Sequence, residues 1–287
     1  LFEHPGWLDS HCHLDAVLSK CNFDVKNLSF LLQYLESPES ATEFPTEAFI
    51  SNFVYPDKWS LSDNVVINSP VPTFVTFGVH PHLAGRGEDL AKLRELVQGE
   101  NCVGIGETGL DYSCECKCLE PWEVHGDKFR AQEELLRMHV GLAIEFDKVL
   151  VLHCRDSGSG EAAKRCLEIV KECGGESLRI HRHCFTGSQS EYEEWVGALP
   201  RVKFGFAGRL GMSSRQKRMA RNVQLCHILA ETDAPYLCPT GTSFPNHPGN
   251  LPLVTRSLAE VLNIPHSLLV LICKINTIVL YGLEDDV

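Results

Sequence analysis

Two histidines separated by one residue, His11 and His13, stand in the run DSHCHLD at the end of an apolar stretch. On an extended strand alternate side chains share a face, so both imidazoles can reach one metal ion from one strand end. Comparable groups recur along the chain: His80 and His82 in GVHPH, Glu107 in GETGLDY, and His153 with Arg155 in HCRDS. His181, His183 and Thr186 follow in HRHCFTG, and Asp233 in ETDAPY, while Asp9 and Asp15 flank the first pair. Burying so many imidazoles and carboxylates without a cation would leave polar groups and charge uncompensated. Two carboxylates and four histidines are enough for two divalent ions, with one carboxylate bridging. A histidine-rich set suits Zn, Mn, Ni or Fe better than Mg, which prefers oxygen, and residue type alone does not choose the ion.

The elements that must position these groups follow from periodicity. Eight short apolar runs read as strands at 6–11, 47–54, 73–79, 102–107, 148–154, 178–184, 201–207 and 226–232. Helical patterns lie between and after them at 87–98, 124–146, 158–173, 188–198, 213–222, 250–262 and 266–281, and 16–46 reads as an extended first crossover. In the best-defined helix, Leu135, Met138, His139 and Leu142 share a side and are expected to face the barrel, His139 as a packing residue. Strand and helix alternating to the end predict an α/β fold, a (β/α)8 TIM barrel in one domain over 1–287. Function in such a barrel collects at the carboxyl ends of the strands, where the histidines and acids fall. The chain begins at Leu1 without a methionine, so it is expected to be a catalytic domain cut from a longer polypeptide with an amino-terminal extension.

Charge and cysteine content narrow the setting. With 26 Lys and Arg against 38 Asp and Glu, the net charge of −12 argues against binding nucleic acid over the whole surface. A local basic segment at 209–221 carries Arg209, Arg215, Lys217, Arg218 and Arg221 without an acid, and reads either as a phosphate-binding patch or as a solvated helix face. The 13 cysteines are spread out, Cys102, Cys154 and Cys226 in apolar company, as expected of reduced, buried thiols in the cytoplasm or nucleus. Cys114, Cys116 and Cys118 stand at alternate positions, either a second metal site or ordinary loop thiols. No apolar run approaches the roughly 20 residues that cross a bilayer, so a soluble chain with no membrane partner is expected, and no obligate protein partner is evident.

DSHCHLD, GVHPH, GETGLDY, HCRDS, HCFTG and ETDAPY, in this order and spacing, resemble the TatD-type deoxyribonucleases over about residues 7–283. GLDYS, HRHCFTG and HPGN look closest to an animal subgroup of that family. The resemblance implies a metal-dependent hydrolase barrel that cuts phosphodiester bonds of DNA or RNA with two divalent ions (Mg, Mn or Zn), as a 3′-5′ exonuclease. By motif, His11 and His13 would hold the first ion with Asp233, Glu107 would bridge, and His153 and His183 would hold the second. Glu107 and Asp233 would be catalytic, a hydroxide between the ions attacking phosphorus while Asp233 orients it or takes its proton. His80, His82, Arg155 and Arg209 would contact substrate. The chain departs from the family pattern at Asn246, His247 and Pro248, where many members carry Asn-Glu-Pro, and at Arg209 in GFAGRLGM, where smaller residues are common; both departures are expected to touch substrate choice. The alternative is an amide or ester hydrolase, such as a D-aminoacyl-tRNA deacylase, because related barrels do carbonyl chemistry with similar ligands. Glu107 in place of a carboxylated lysine favours the phosphodiester reading.

Overall fold

The computed structural model describes residues 6–35, 44–87, 89–113, 125–156, 158–208 and 214–287. Among these residues, eight parallel strands run in chain order around one sheet: β1 (Trp7–Cys12), β2 (Thr46–Phe53), β3 (Thr73–Phe77), β4 (Cys102–Asp111), β5 (Val149–Arg155), β6 (Ile180–Arg182), β7 (Val202–Phe206) and β8 (Ile228–Ala230). Runs such as TFVTF and VLVL are buried residue after residue, because helices cover the outside while side chains fill the inside. The interior layer comprises Leu8, Ala48, Ile50, Phe74, Val149, Val151 and Leu229, floored by Ile278, Leu280 and Tyr281 of the last helix, α10 (His266–Tyr281). This packed floor leaves only the opposite, carboxyl end of the strands for chemistry.

Two burial expectations need correction, those of Met138 and Cys226, and the structure adds three short helices that periodicity does not predict. The crossover after β1 is helical: α1 (Leu14–Cys21) buries Leu14, Val17 and Leu18 and ends on Asn22 in the left-handed region, and α2 (Leu28–Leu35) follows. A further short helix, α3 (Ser62–Asn68), follows β2. In α5 (His125–Phe146) the buried stripe is Leu135, Leu136, His139, Val140 and Ala143, while Met138 is exposed. His139 accepts the Val79 N–H at Nε2 and donates to the Leu135 carbonyl through Nδ1, the packing role expected of it. Cys226 is exposed rather than buried, and the ten cysteines described are all free thiols. Cys114, Cys116 and Cys118 lie outside the described residues. The remaining helices are α4 (Leu90–Leu96), α6 (Glu161–Glu172), α7 (Gln189–Ala198), α8 (Ser214–Asn222) and α9 (Leu251–Leu262). No single helix among the described residues is long and apolar enough to cross a membrane.

The join of β8 to β1 sets the site. Ser10 donates its hydroxyl to the Ala230 carbonyl at 3.0 Å, the Asp233 N–H reaches the His11 carbonyl at 2.9 Å, and the His13 N–H reaches the Ala234 carbonyl at 2.8 Å. The loop after β8 is thereby zipped onto the strand end that carries both histidines.

Candidate metal centre and active site

His11 lies in β1 and His13 one residue beyond it, their Nε2 atoms 3.2 Å apart. His13 donates Nδ1–H to the Asn52 carbonyl at 2.8 Å, which leaves Nε2 with its lone pair free for a cation. Glu107 is delivered by a bulge in β4: Gly106 pairs with Val151 and Thr108 with Leu152, so the residue between them has no partner and can turn inward. Gly106 sits at φ +130°, and a Cβ there would lie 2.4 Å from the Val151 carbonyl oxygen, so the approach to Glu107 requires glycine. β4 also runs four residues past the expected end, which places Glu107 inside the strand.

The Glu107 carboxylate divides the ligands into two groups. Its Oε2 lies 3.5 Å from Nε2 of both His11 and His13, and Asp233 Oδ1 lies 3.5 and 3.4 Å from the same two atoms. Its Oε1 accepts from His153 Nδ1 at 2.6 Å, lies 2.9 Å from His183 Nε2, and lies 3.6 Å from His80 Nε2. Donor atoms of His11, His13 and Asp233 fall within 4.8 Å of one another, as do those of His80, Glu107 and His153, and those of His11, Glu107 and His183. Buried nitrogen lone pairs and carboxylate oxygens aimed at common points fit divalent ions in number and chemistry. The buried Nδ1 of His183 has no hydrogen-bond partner and lies 3.9 Å from Glu231 Oε1.

Electrostatics follow from that convergence. Burial disfavours a charged Glu107, yet His183, His11 and His153 outweigh it and hold the carboxyl well below its usual range. Burial likewise favours a neutral His13, but Asp233 and Glu107 prevail and push the ring up to about 9; at His153, Asp111 and Glu107 prevail and push it up to about 10. Burial keeps His183 and His80 below the ordinary value, the latter well below.

A supporting layer was not legible in the motifs as roles. Asp111, in the same GETGLDY run as Glu107, accepts from His82 Nε2 at 2.7 Å and lies 3.3 Å from His153 Nε2. Fully buried Glu231 accepts from His181 Nε2 at 2.8 Å and from the Cys184 N–H, and His181 in turn meets the Tyr281 hydroxyl at 2.8 Å. His181 thus serves the floor of the site and not its mouth. Arg182, 3% exposed, donates to the Cys154 and His183 carbonyls and tethers the ends of β5 and β6 beside two ligands. The acids, the imidazole and the guanidinium at these positions were visible in sequence, but apart from the adjacent His183 carbonyl their partners lie 28–100 residues away.

Above the cluster opens a cavity of about 920 Å³, whose lining includes His80, His82, Arg155 and Asp156 together with the aromatic residues Tyr55, Tyr236 and Phe244. Arg155 therefore stands at the mouth. Arg209 lies outside the described residues, and of the basic segment Arg218 and Arg221 are exposed. His247 is buried, and none of Asn246, His247 and Pro248 is among the residues that line the cavity. Asn246 organises that loop: it donates to the carbonyls of Thr232 and Tyr236 at 2.9 and 2.6 Å.

The TatD related DNase family profile matches residues 8–282, the whole span from β1 to the end of α10. The chain belongs to this family. The TatD resemblance seen in six motifs therefore holds across the fold. Among relatives, the human 3′-5′ RNA nuclease TATDN2 is 34% identical over 97% of this chain, which spans 35% of that protein's length. The uncharacterized metal-dependent hydrolase YcfH of Escherichia coli K12 is 31% identical over 88% of this chain and 85% of its own. The structure of a hydrolase TatD family protein from Entamoeba histolytica superposes with a TM-score of 0.78 at 17% identity, covering 97% of this chain and 98% of that one. That likeness shows the fold, a barrel of eight parallel strands with helices outside.

Proposed function

We propose that this TatD family member is a metal-dependent phosphodiesterase that removes nucleotides from the 3′ end of an RNA or DNA strand. The observation that carries the reading is the division of Glu107, one oxygen toward His11 and His13 and the other toward His153 and His183. His11, His13 and Asp233 would hold one ion, His153 and His183 the other, with Glu107 shared and His80 beside the second. Two such ions supply positive charge for the phosphoryl oxygens and activate water. Asp233, 8% exposed and lining the cavity, would take the water's proton as the water oxygen bonds to phosphorus, and return it to the leaving 3′ oxygen as that P–O bond breaks. Arg155 meets the phosphate at the mouth. Asp111 holds His153 and His82 in place. The 3′-5′ direction is supported by the human relative's activity.

The test is degradation of end-labelled RNA and DNA oligonucleotides by the purified chain with and without EDTA, next to an aminoacyl-ester deacylation assay. Chelator-sensitive ladders shortening from the 3′ end support the proposal. Deacylation without strand cleavage overturns it.

A further inference from the structure

The lining of the cavity carries two kinds of chemistry. His80, His82, Arg155 and Asp156 suit phosphate and sugar, whereas Tyr236 and Phe244, from the loop after β8, present aromatic faces with 37% and 61% of their surfaces exposed. Large apolar rings left in water at the edge of a catalytic cavity mark a ligand contact more than a packing need. The Tyr236 ring stands edge-on to His13 with centroids 5.9 Å apart, so the aromatic part of the lining begins where the ligand cluster ends. Its hydroxyl is hydrogen-bonded to that of Tyr55, a second aromatic residue of the lining. The ammonium of Lys20 lies over one face of the Phe244 ring, 5.9 Å from its centroid, so a cation accompanies the aromatic part of the lining. The loop is braced: Asn246 binds the carbonyls of Tyr236 and Thr232, and its own N–H meets the Pro235 carbonyl at 3.0 Å.

We propose that Tyr236 and Phe244 form a stacking platform for one unpaired nucleobase, next to the phosphodiester held over Glu107. The proposal rests on the phosphodiesterase reading and adds to it the two residues that meet the base of the terminal nucleotide. Stacking uses the face that all bases share, so the platform takes a base of any identity.

The experiment compares two single-stranded oligonucleotides, one with its 3′-terminal base intact and one whose terminal residue is abasic, cleaved by wild type, Phe244→Ala, Tyr236→Ala and Phe244→Trp with saturating divalent metal. Wild type should prefer the intact end by about tenfold in kcat/KM, mostly through KM. That preference should shrink in both alanine variants and return in Phe244→Trp. Phe244 is mostly exposed, so its replacement leaves the fold intact, and circular dichroism verifies this for each variant. A preference that survives both alanine changes, or equal cleavage of both strands by wild type, overturns the platform while leaving the phosphodiesterase reading standing. Absence of any chelator-sensitive strand cleavage by wild type overturns both.

Discussion

Asp9 in β1 accepts both the backbone N–H and the hydroxyl of Thr232, 223 residues away, where the eighth strand meets the first. Asp9 also accepts the His11 N–H, so one carboxyl group ties a metal-ligand strand to the loop that carries Asp233. Burial pushes its pKa up to about 8, the hydrogen bonds from Thr232 and His11 only partly offsetting that. Thr232→Val keeps the shape of the side chain but removes the donor to Asp9 and the acceptor for the Ala234 N–H. Urea unfolding should show a loss of about 1–3 kcal/mol, the cost of buried polar groups left unpaired. A midpoint equal to that of wild type would contradict the role of this seam.

Arg182 is the second tether. Its guanidinium lies 5.8 Å from the Phe185 centroid and 5.6 Å from that of Trp195, and binds two carbonyls next to His153 and His183. Arg182→Met fills the stem's volume yet orphans both carbonyls, so stability should fall by about 2–4 kcal/mol and metal affinity with it. Thermal melting and metal titration of the variant measure the two effects. Melting at the wild-type temperature would show that the carbonyls find other donors.

How much of this could be read in advance depended on range along the chain. The strands were legible because runs such as TFVTF and VLVL are buried on both faces and read as continuous apolar stretches, and His11, His13, Glu107, His153, His183 and Asp233 stood out because their motifs fall at the strand ends. The structure brings all six together. The bulge that aims Glu107 was hidden, since it consists of a register change against Val151 and Leu152 and leaves no composition signal beyond Gly106. α1 and α2 were hidden by length, eight residues each, too short for a helical period to show beside a ligand motif. Met138 was assigned to the buried stripe because Leu135, Met138 and Leu142 share a 3–4 spacing, but the packed face is turned one residue over, toward Leu136 and Val140. Asp9, Asp111 and Arg182 act through partners far away in sequence, which no local pattern encodes.

His247 gives the fold an acid sensitivity. Burial pulls its pKa down to about 4 from an ordinary 6.5, and its Nδ1 has no partner. The unfolded chain therefore binds more protons between these values, and stability rises with pH there: the contribution is complete above about 6.5, falls as pH drops, and is exhausted below about 4. The difference amounts to about 3 kcal/mol. Chemical denaturation from pH 7 to 4 should give a shallower loss for His247→Gln than for wild type. Parallel pH profiles for the two proteins would show that another group governs the acid limb.

Glu107 carries the central claim, because its two oxygens are what join two ligand sets into one centre. The direct measurement is metal content by mass spectrometry, together with 3′-end cleavage of a labelled strand, for wild type and Glu107→Gln loaded with the same divalent ion. Wild type is predicted to retain two ions per chain, and the variant, which keeps the shape but loses the charge, to retain fewer and cleave about a thousandfold or more slowly, a loss of ~4 kcal/mol of transition-state stabilisation. A variant that keeps both ions and cuts at the wild-type rate would contradict the claim.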